Sequence, residues 1–166
     1  MFHSATFNLN IRMYKRPLTA IVLFLYALIL FQVMVLKDLP TIHIGHLRFR
    51  FSGTHTGTAN FVPFRTIKLY MRGAGGLVIA GVNLLGNVLL LVPIGFLFPI
   101  LFPGTGWRRS LMIGLASGLA IEGLQTMLQV GIFDIDDVIL NACGVLVGHG
   151  CWLLYQRYRQ HRVMPQ

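Results

Sequence analysis

Charge is scarce in this sequence, and acidic charge scarcest. Only 11% of the 166 residues are Asp, Glu, Lys or Arg, and only 5 are acidic. Soluble domains carry roughly 25% charged residues. So few would not cover the surface of a cytosolic globular enzyme, which argues against that class. A shortage of polar residues argues against disorder as well. The chain is 55% hydrophobic with a mean hydropathy of +0.68, whereas disordered segments combine low hydrophobicity with high charge. Cysteine is nearly lacking. Cys143 and Cys151 stand eight residues apart in one apolar run, about 12 Å along a helix and too far for a disulfide. They read as small packing residues. No repeat, low-complexity segment or second domain is visible, so residues 1–166 read as a single domain.

What the sequence does have is apolar runs with basic flanks. Leu18 to Leu36 is free of charge, follows Arg12, Lys15 and Arg16, and leads into Lys37-Asp38-Leu39-Pro40. A signal peptide would have a shorter core and small residues at a cleavage site. The run reads as a retained first span. The second run, Leu77 to Leu101, contains Asn83, Asn87 and Pro93, and the proline should kink it. The third, Ser110 to Leu128, is interrupted by Glu122 and Gln125, and the fourth, Val138 to Tyr155, holds Asn141.

Residues 37–76 form a long polar connection. Leu47, Phe49 and Phe51 alternate with Arg48 and Arg50, a period of two that predicts a short strand or hairpin arm. Ser52 to Thr58 reads as a turn. Phe64, Ile67 and Met71, beside Arg65, Lys68 and Arg72, predict a short amphipathic helix suited to a membrane surface. The expected fold is all-α. It is a bundle of four transmembrane helices, at about 18–36, 77–101, 110–128 and 138–155, with an extracytoplasmic loop carrying the amphipathic helix.

The charge balance is basic, 14 Lys and Arg against 5 Asp and Glu. These basic residues flank spans and form no surface interleaved with aromatics, so no nucleic-acid partner is expected. They fit anionic lipid and topology signals instead. The N-terminal segment, the 102–109 turn and the tail hold three, two and three Lys or Arg, against six over the long 37–76 connection and none at 129–134. The rule that short basic flanks stay inside puts both termini in the cytoplasm and the 37–76 connection outside.

Four of the five acidic residues lie between positions 122 and 137. An ionisable group at the centre of a membrane helix costs about 2.5–3.5 kcal/mol on the insertion scale, so such residues point to function. Their spacing makes stripes. Asn83 and Asn87 share a helix face. Gly114, Gly118, Glu122, Gln125 and Gln129 follow steps of four, four, three and four, as polar groups set behind close-packing glycines. Asp134, Asp137, Asn141, Gly144 and Gly148 repeat the pattern on the fourth span. Asn83 and Asn87 would sit about 9 and 15 Å into the second span, and Glu122 about 9 Å from the end of the third. All three stripes therefore meet in one half of the membrane, the outer half by the orientation above. The candidate site is a polar pocket of Asn60, Arg65, Asn83, Asn87, Glu122, Gln125, Asp134, Asp136, Asp137 and Asn141, roofed by the 37–76 connection.

The chain resembles the VanZ-like family at these residues. The matching text is Asn60-Phe61-Val62-Pro63-Phe64-Arg65-Thr66-Ile67, then Asn83-x3-Asn87 with Pro93-Ile94-Gly95-Phe96. Glu122-x2-Gln125 follows, then Phe133-Asp134-Ile135-Asp136-Asp137-Val138-Ile139-Leu140-Asn141-x2-Gly144. The resemblance covers roughly residues 18 to 155. Gly131-Ile132 stands where such proteins often carry a basic residue. The resemblance implies a small bacterial multi-pass membrane protein linked to the envelope. The family's namesake confers low-level resistance to teicoplanin, a glycopeptide bearing an acyl chain.

Three classes of function follow. The first is a protein of the bacterial cytoplasmic membrane that binds or shields a lipid, a lipid-linked wall precursor or an acylated glycopeptide, without catalysis. The second is an intramembrane enzyme using Glu122, Asp136 and Asp137 as acid and base, or to hold a divalent cation. The third is a small proton-coupled transporter. Binding is the favoured reading, with no cofactor and no metal expected. Ser117 has no histidine near it, His43, His46 and His55 read as surface residues, and His149 lies in the far half. Four spans are few for a transporter, although a homodimer through Gly114/Gly118 or Gly144/Gly148 would double them. Packing within one chain is the favoured use of those glycines.

Overall fold

A computed structural model describes residues 2–36, 42–44, 47–49, 58–73 and 76–163. The expected turn at Ser52–Thr58 falls almost wholly outside them, as do Asp38, Phe51 and the side chains of His43, His46 and His55. Among the described residues the architecture is helical apart from one hairpin. Helix α1 is Phe2–Leu30 and passes directly into a π-helical stretch, Phe31–Leu36. Strands β1 (Ile42–Ile44) and β2 (Leu47–Phe49) pair antiparallel, with Ile42 opposite Phe49 and Ile44 opposite Leu47. The alternation at 47–49 is thus a hairpin arm. Helices α2 (Arg65–Met71), α3 (Leu77–Leu101), α4 (Trp107–Met127) and α5 (Ile135–Val163) follow.

Among the described residues, three segments are long and apolar enough to cross a membrane: Arg16–Val35, Ala80–Leu101 and Ile135–Gln160. They match three of the four expected spans, with α5 reaching well past both limits of its apolar run. Helix α4, at 21 residues, has the length but not the apolarity, because Ser110, Ser117, Glu122 and Gln125 dilute its run. Helix α3 continues through Pro93 and Pro99 rather than ending at either. Pro93 supplies no amide to the carbonyl four residues back. On that turn the Tyr26 hydroxyl donates to the Leu90 carbonyl at 2.7 Å, tying α1 to α3.

Helix α5 is the centre of the assembly, and α3 and α4 lie along it. Backbone approach sets both seams. A Cβ at Gly114 would come 2.7 Å from the Ala142 Cα, and one at Gly118 would come 2.9 Å from the Val138 Cα. On the other side Gly144 and Gly148 sit beneath the carbonyls of Val88 and Val92, with no room for a side chain. The glycine stripes are therefore used within the chain. Leu30 and Met34 reach from α1 and the π stretch to meet Leu91 and Val145 in the buried apolar core. Apolar side chains such as Phe24, Leu85, Leu89, Met112 and Leu154 are exposed on the outer faces, the arrangement lipid-facing helices require.

Candidate functional site

The site begins where the chain before α2 meets the start of α5. Asn60 and Asp134 form a short parallel bridge, in which the Asn60 N–H donates to the Phe133 carbonyl at 2.8 Å and the Ile135 N–H to the Asn60 carbonyl at 3.0 Å. The rings of Phe61 and Phe133 stack alongside, 5.2 Å apart. The Asn60 side chain is fully engaged. Its amide donates to Asp134 Oδ1 at 2.9 Å and Thr66 Oγ1 at 3.1 Å, and its oxygen accepts from the Val62 N–H at 3.2 Å.

Two aspartates cap two helices. Asp134 precedes α5 and accepts the Asp136 N–H at 2.9 Å, the usual N-cap bond to the second residue of a helix. Its other oxygen accepts the Thr66 hydroxyl. Asp136 is fully buried and caps α2 instead. Its carboxylate accepts the N–H groups of Phe64, Thr66 (2.7 Å) and Ile67 (3.1 Å). These donors are otherwise unsatisfied at a helix start, and bonds to a carboxylate are the stronger kind. They offset the left-handed conformation of Phe64, whose φ is 64°.

Helix α4 brings its polar residues to the same end. Glu122, 2% exposed, accepts the Asp134 N–H on Oε2 at 3.0 Å. The Gln125 amide donates to the Met34 carbonyl in the π stretch at 2.7 Å. Its backbone carbonyl takes the Val130 and Gly131 N–H groups. Gly131 lies against the Gln125 side chain, where an added Cβ would sit at 3.0 Å. From α3, Asn83 donates to the Tyr70 hydroxyl of α2 at 3.1 Å. Asn60, Glu122, Asp134 and Asp136 thus form one hydrogen-bonded cluster. Gln125 and Asn83 anchor its neighbours.

The remaining candidates differ. Arg65 is exposed at the start of α2, and Asp137 is half-buried on the first turn of α5. Asn87 is half-buried, and its side chain makes no hydrogen bond among the described residues. Asn141 is 0% exposed, and among the described residues neither its amide nitrogen nor its oxygen has a hydrogen-bond partner. It lies one turn beyond Asp137 and one short of Val145. Among the described residues no three His, Cys, Asp or Glu side chains gather as metal ligands do.

Four residues outside the candidate set also make hydrogen bonds. Thr66 links Asn60, Asp134 and Asp136, and Tyr70 receives Asn83. Ser110 and His149, both buried, hydrogen-bond at 2.9 Å at the far end of α4 and α5. Ser110 lies four residues before Gly114 and so shares its helix face toward α5, although the stripe read from the sequence began only at Gly114.

The same stretch is what a family comparison recognises. The model for VanZ/LLP1 matches residues 22–156. The chain belongs to the VanZ/LLP1 family. The match runs from the apolar part of α1 to α5 and includes every candidate residue above. Among curated proteins and among solved structures there is no match. The VanZ/LLP1 assignment and the three apolar helices together make this a membrane protein of VanZ type.

Proposed function

We propose that this VanZ/LLP1 chain is a four-span protein of the bacterial cytoplasmic membrane, with both termini inside. It binds an amphiphile by its polar group in the outer-leaflet half of the bundle. The amphiphile is a lipid, a lipid-linked wall precursor or an acylated glycopeptide, and holding it would blunt teicoplanin-type antibiotics at the membrane. Support for α4 as a span comes from its close seam along α5, since a helix packed so tightly on a spanning partner lies across the bilayer with it.

Asn141 is the observation that carries the binding reading. A buried amide with neither atom hydrogen-bonded costs about 1–3 kcal/mol. A polar head group reaching that depth would recover the bonds. Within the site the residues divide the work. Asn60, Asp134 and Asp136 hold residues 58–73 as a roof, while Arg65, Asn87, Glu122, Asp137 and Asn141 meet the ligand. Gln125 and Asn83 keep the walls in register.

The test is protection of cells against teicoplanin. Glu122→Gln and Asp137→Asn should each reduce protection with the amount of protein in the membrane unchanged. Full protection by both variants would show the cluster to be structural and would end the site assignment.

A further inference from the structure

A second feature lies at the opposite end of the bundle, where α3 finishes and α4 begins. A cavity of about 440 Å³ opens between them. That lies within the about 300–1,000 Å³ typical of small-molecule sites. Its walls are Phe98, Phe102, Met112 and Ile113, and two cations, Arg108 and Arg109, stand at it. Arg108 is held over the exposed ring of Trp107, 5.5 Å from its centroid. The acidic residues of α4 and α5 lie at the other end, and neither arginine has a carboxylate partner among the described residues.

Depth identifies the chemistry. The crossing segment of α3 ends at Leu101, and α4 starts at Trp107. The arginines therefore stand where a bilayer's polar head groups begin, and the apolar walls run inward from them. Exposed tryptophan at such a level is the usual interfacial anchor. A free phosphate would use the arginines and leave the apolar walls wet. A zwitterionic lipid would use the walls and leave the two cations without net compensation. We propose that this groove binds one anionic phospholipid of the adjacent leaflet, its phosphate on Arg108 and Arg109 and an acyl chain between α3 and α4. This site is separate from the polar end of the bundle and stands or falls independently of it.

The test uses the full-length protein, purified in detergent and stripped of lipid. Dioleoyl phosphatidylglycerol and dioleoyl phosphatidylcholine are titrated in, and bound lipid is counted by native mass spectrometry. Wild type should hold one phosphatidylglycerol in preference to phosphatidylcholine. The double variant Arg108→Gln/Arg109→Gln, at two exposed positions, should lose roughly tenfold or more in affinity for phosphatidylglycerol and lose the preference. Ile113→Trp, which fills the groove, should weaken both lipids. Arg157→Gln/Arg159→Gln, on the tail at the same end, should leave binding within a factor of two or so. Equal binding of the two lipids by wild type overturns the proposal. So does an equal loss in the tail variant, which would mean diffuse surface attraction, or undiminished binding to Ile113→Trp.

Discussion

Asp136 and Asn141 are both completely buried on α5, five residues apart, yet their surroundings differ in kind. Asp136 has three backbone N–H donors from the start of α2, whereas the Asn141 amide has no partner among the described residues. Removing the first should therefore cost stability. Asp136→Ala removes the acceptor of three part-buried N–H groups and should weaken the docking of α2 by about 2–4 kcal/mol. Faster proteolysis within residues 58–73, with α3 to α5 still protected, would report it. Unchanged protection of that segment would refute the capping role. At this scale the sequence showed where acid gathers but not what it bonds to. The partners of Asp136 are main-chain groups, which carry no side-chain signature, so the spacing of Phe64, Ile67 and Met71 located the short helix but not the carboxylate that caps it. Thr66 escaped notice for the same reason, being a small polar residue among larger ones.

The elements were more legible because apolar runs measure out helices directly. Leu77 to Leu101 is both the apolar run and the helix α3. The stripes Gly114/Gly118 and Gly144/Gly148 marked the two seams of α5, since steps of four fall on one face. The π stretch at 31–36 carries no comparable mark, and Gln125 found its carbonyl partner there. A paired substitution tests the seam. Gly148→Ala drives a methyl into the Val92 carbonyl, whereas Gly150→Ala points into open space. The first should cost several kcal/mol and reduce accumulation in the membrane, about the magnitude of overpacking a core, and the second should be neutral. Equal behaviour of the two would contradict the close α3–α5 approach. Helix α2 departs from the simple amphipathic picture. Thr66, Ile67 and Tyr70 turn inward, while Phe64, Leu69 and Met71 are exposed beside Arg65, Lys68 and Arg72. A face so mixed is suited to head groups over acyl chains. A nitroxide placed at Met71→Cys in liposomes should be relaxed more by oxygen than by a water-soluble nickel chelate, and the reverse ranking would place α2 in water.

Across the whole molecule, polarity is divided between two ends. Glu122, Asp134, Asp136 and Asp137 gather at one, and Arg108, Arg109 and the basic tail of α5 stand at the other. Basic flanks are retained on the cytoplasmic side, so a C-terminal green fluorescent protein fusion should be bright and a C-terminal alkaline phosphatase fusion inactive. The opposite pair of results would invert the bundle and place the polar cluster in the inner leaflet. The central claim, that the polar end exists to hold a ligand and not only to join helices, makes its sharpest prediction at Asn141. Leu has the same branched skeleton of four heavy atoms without the polar atoms of the amide. If Asn141 serves a ligand, Asn141→Leu should raise the thermal midpoint of the purified protein, by relieving about 1–3 kcal/mol of unsatisfied polarity, and abolish protection against teicoplanin in cells. A variant that is more stable and still fully protective would contradict it.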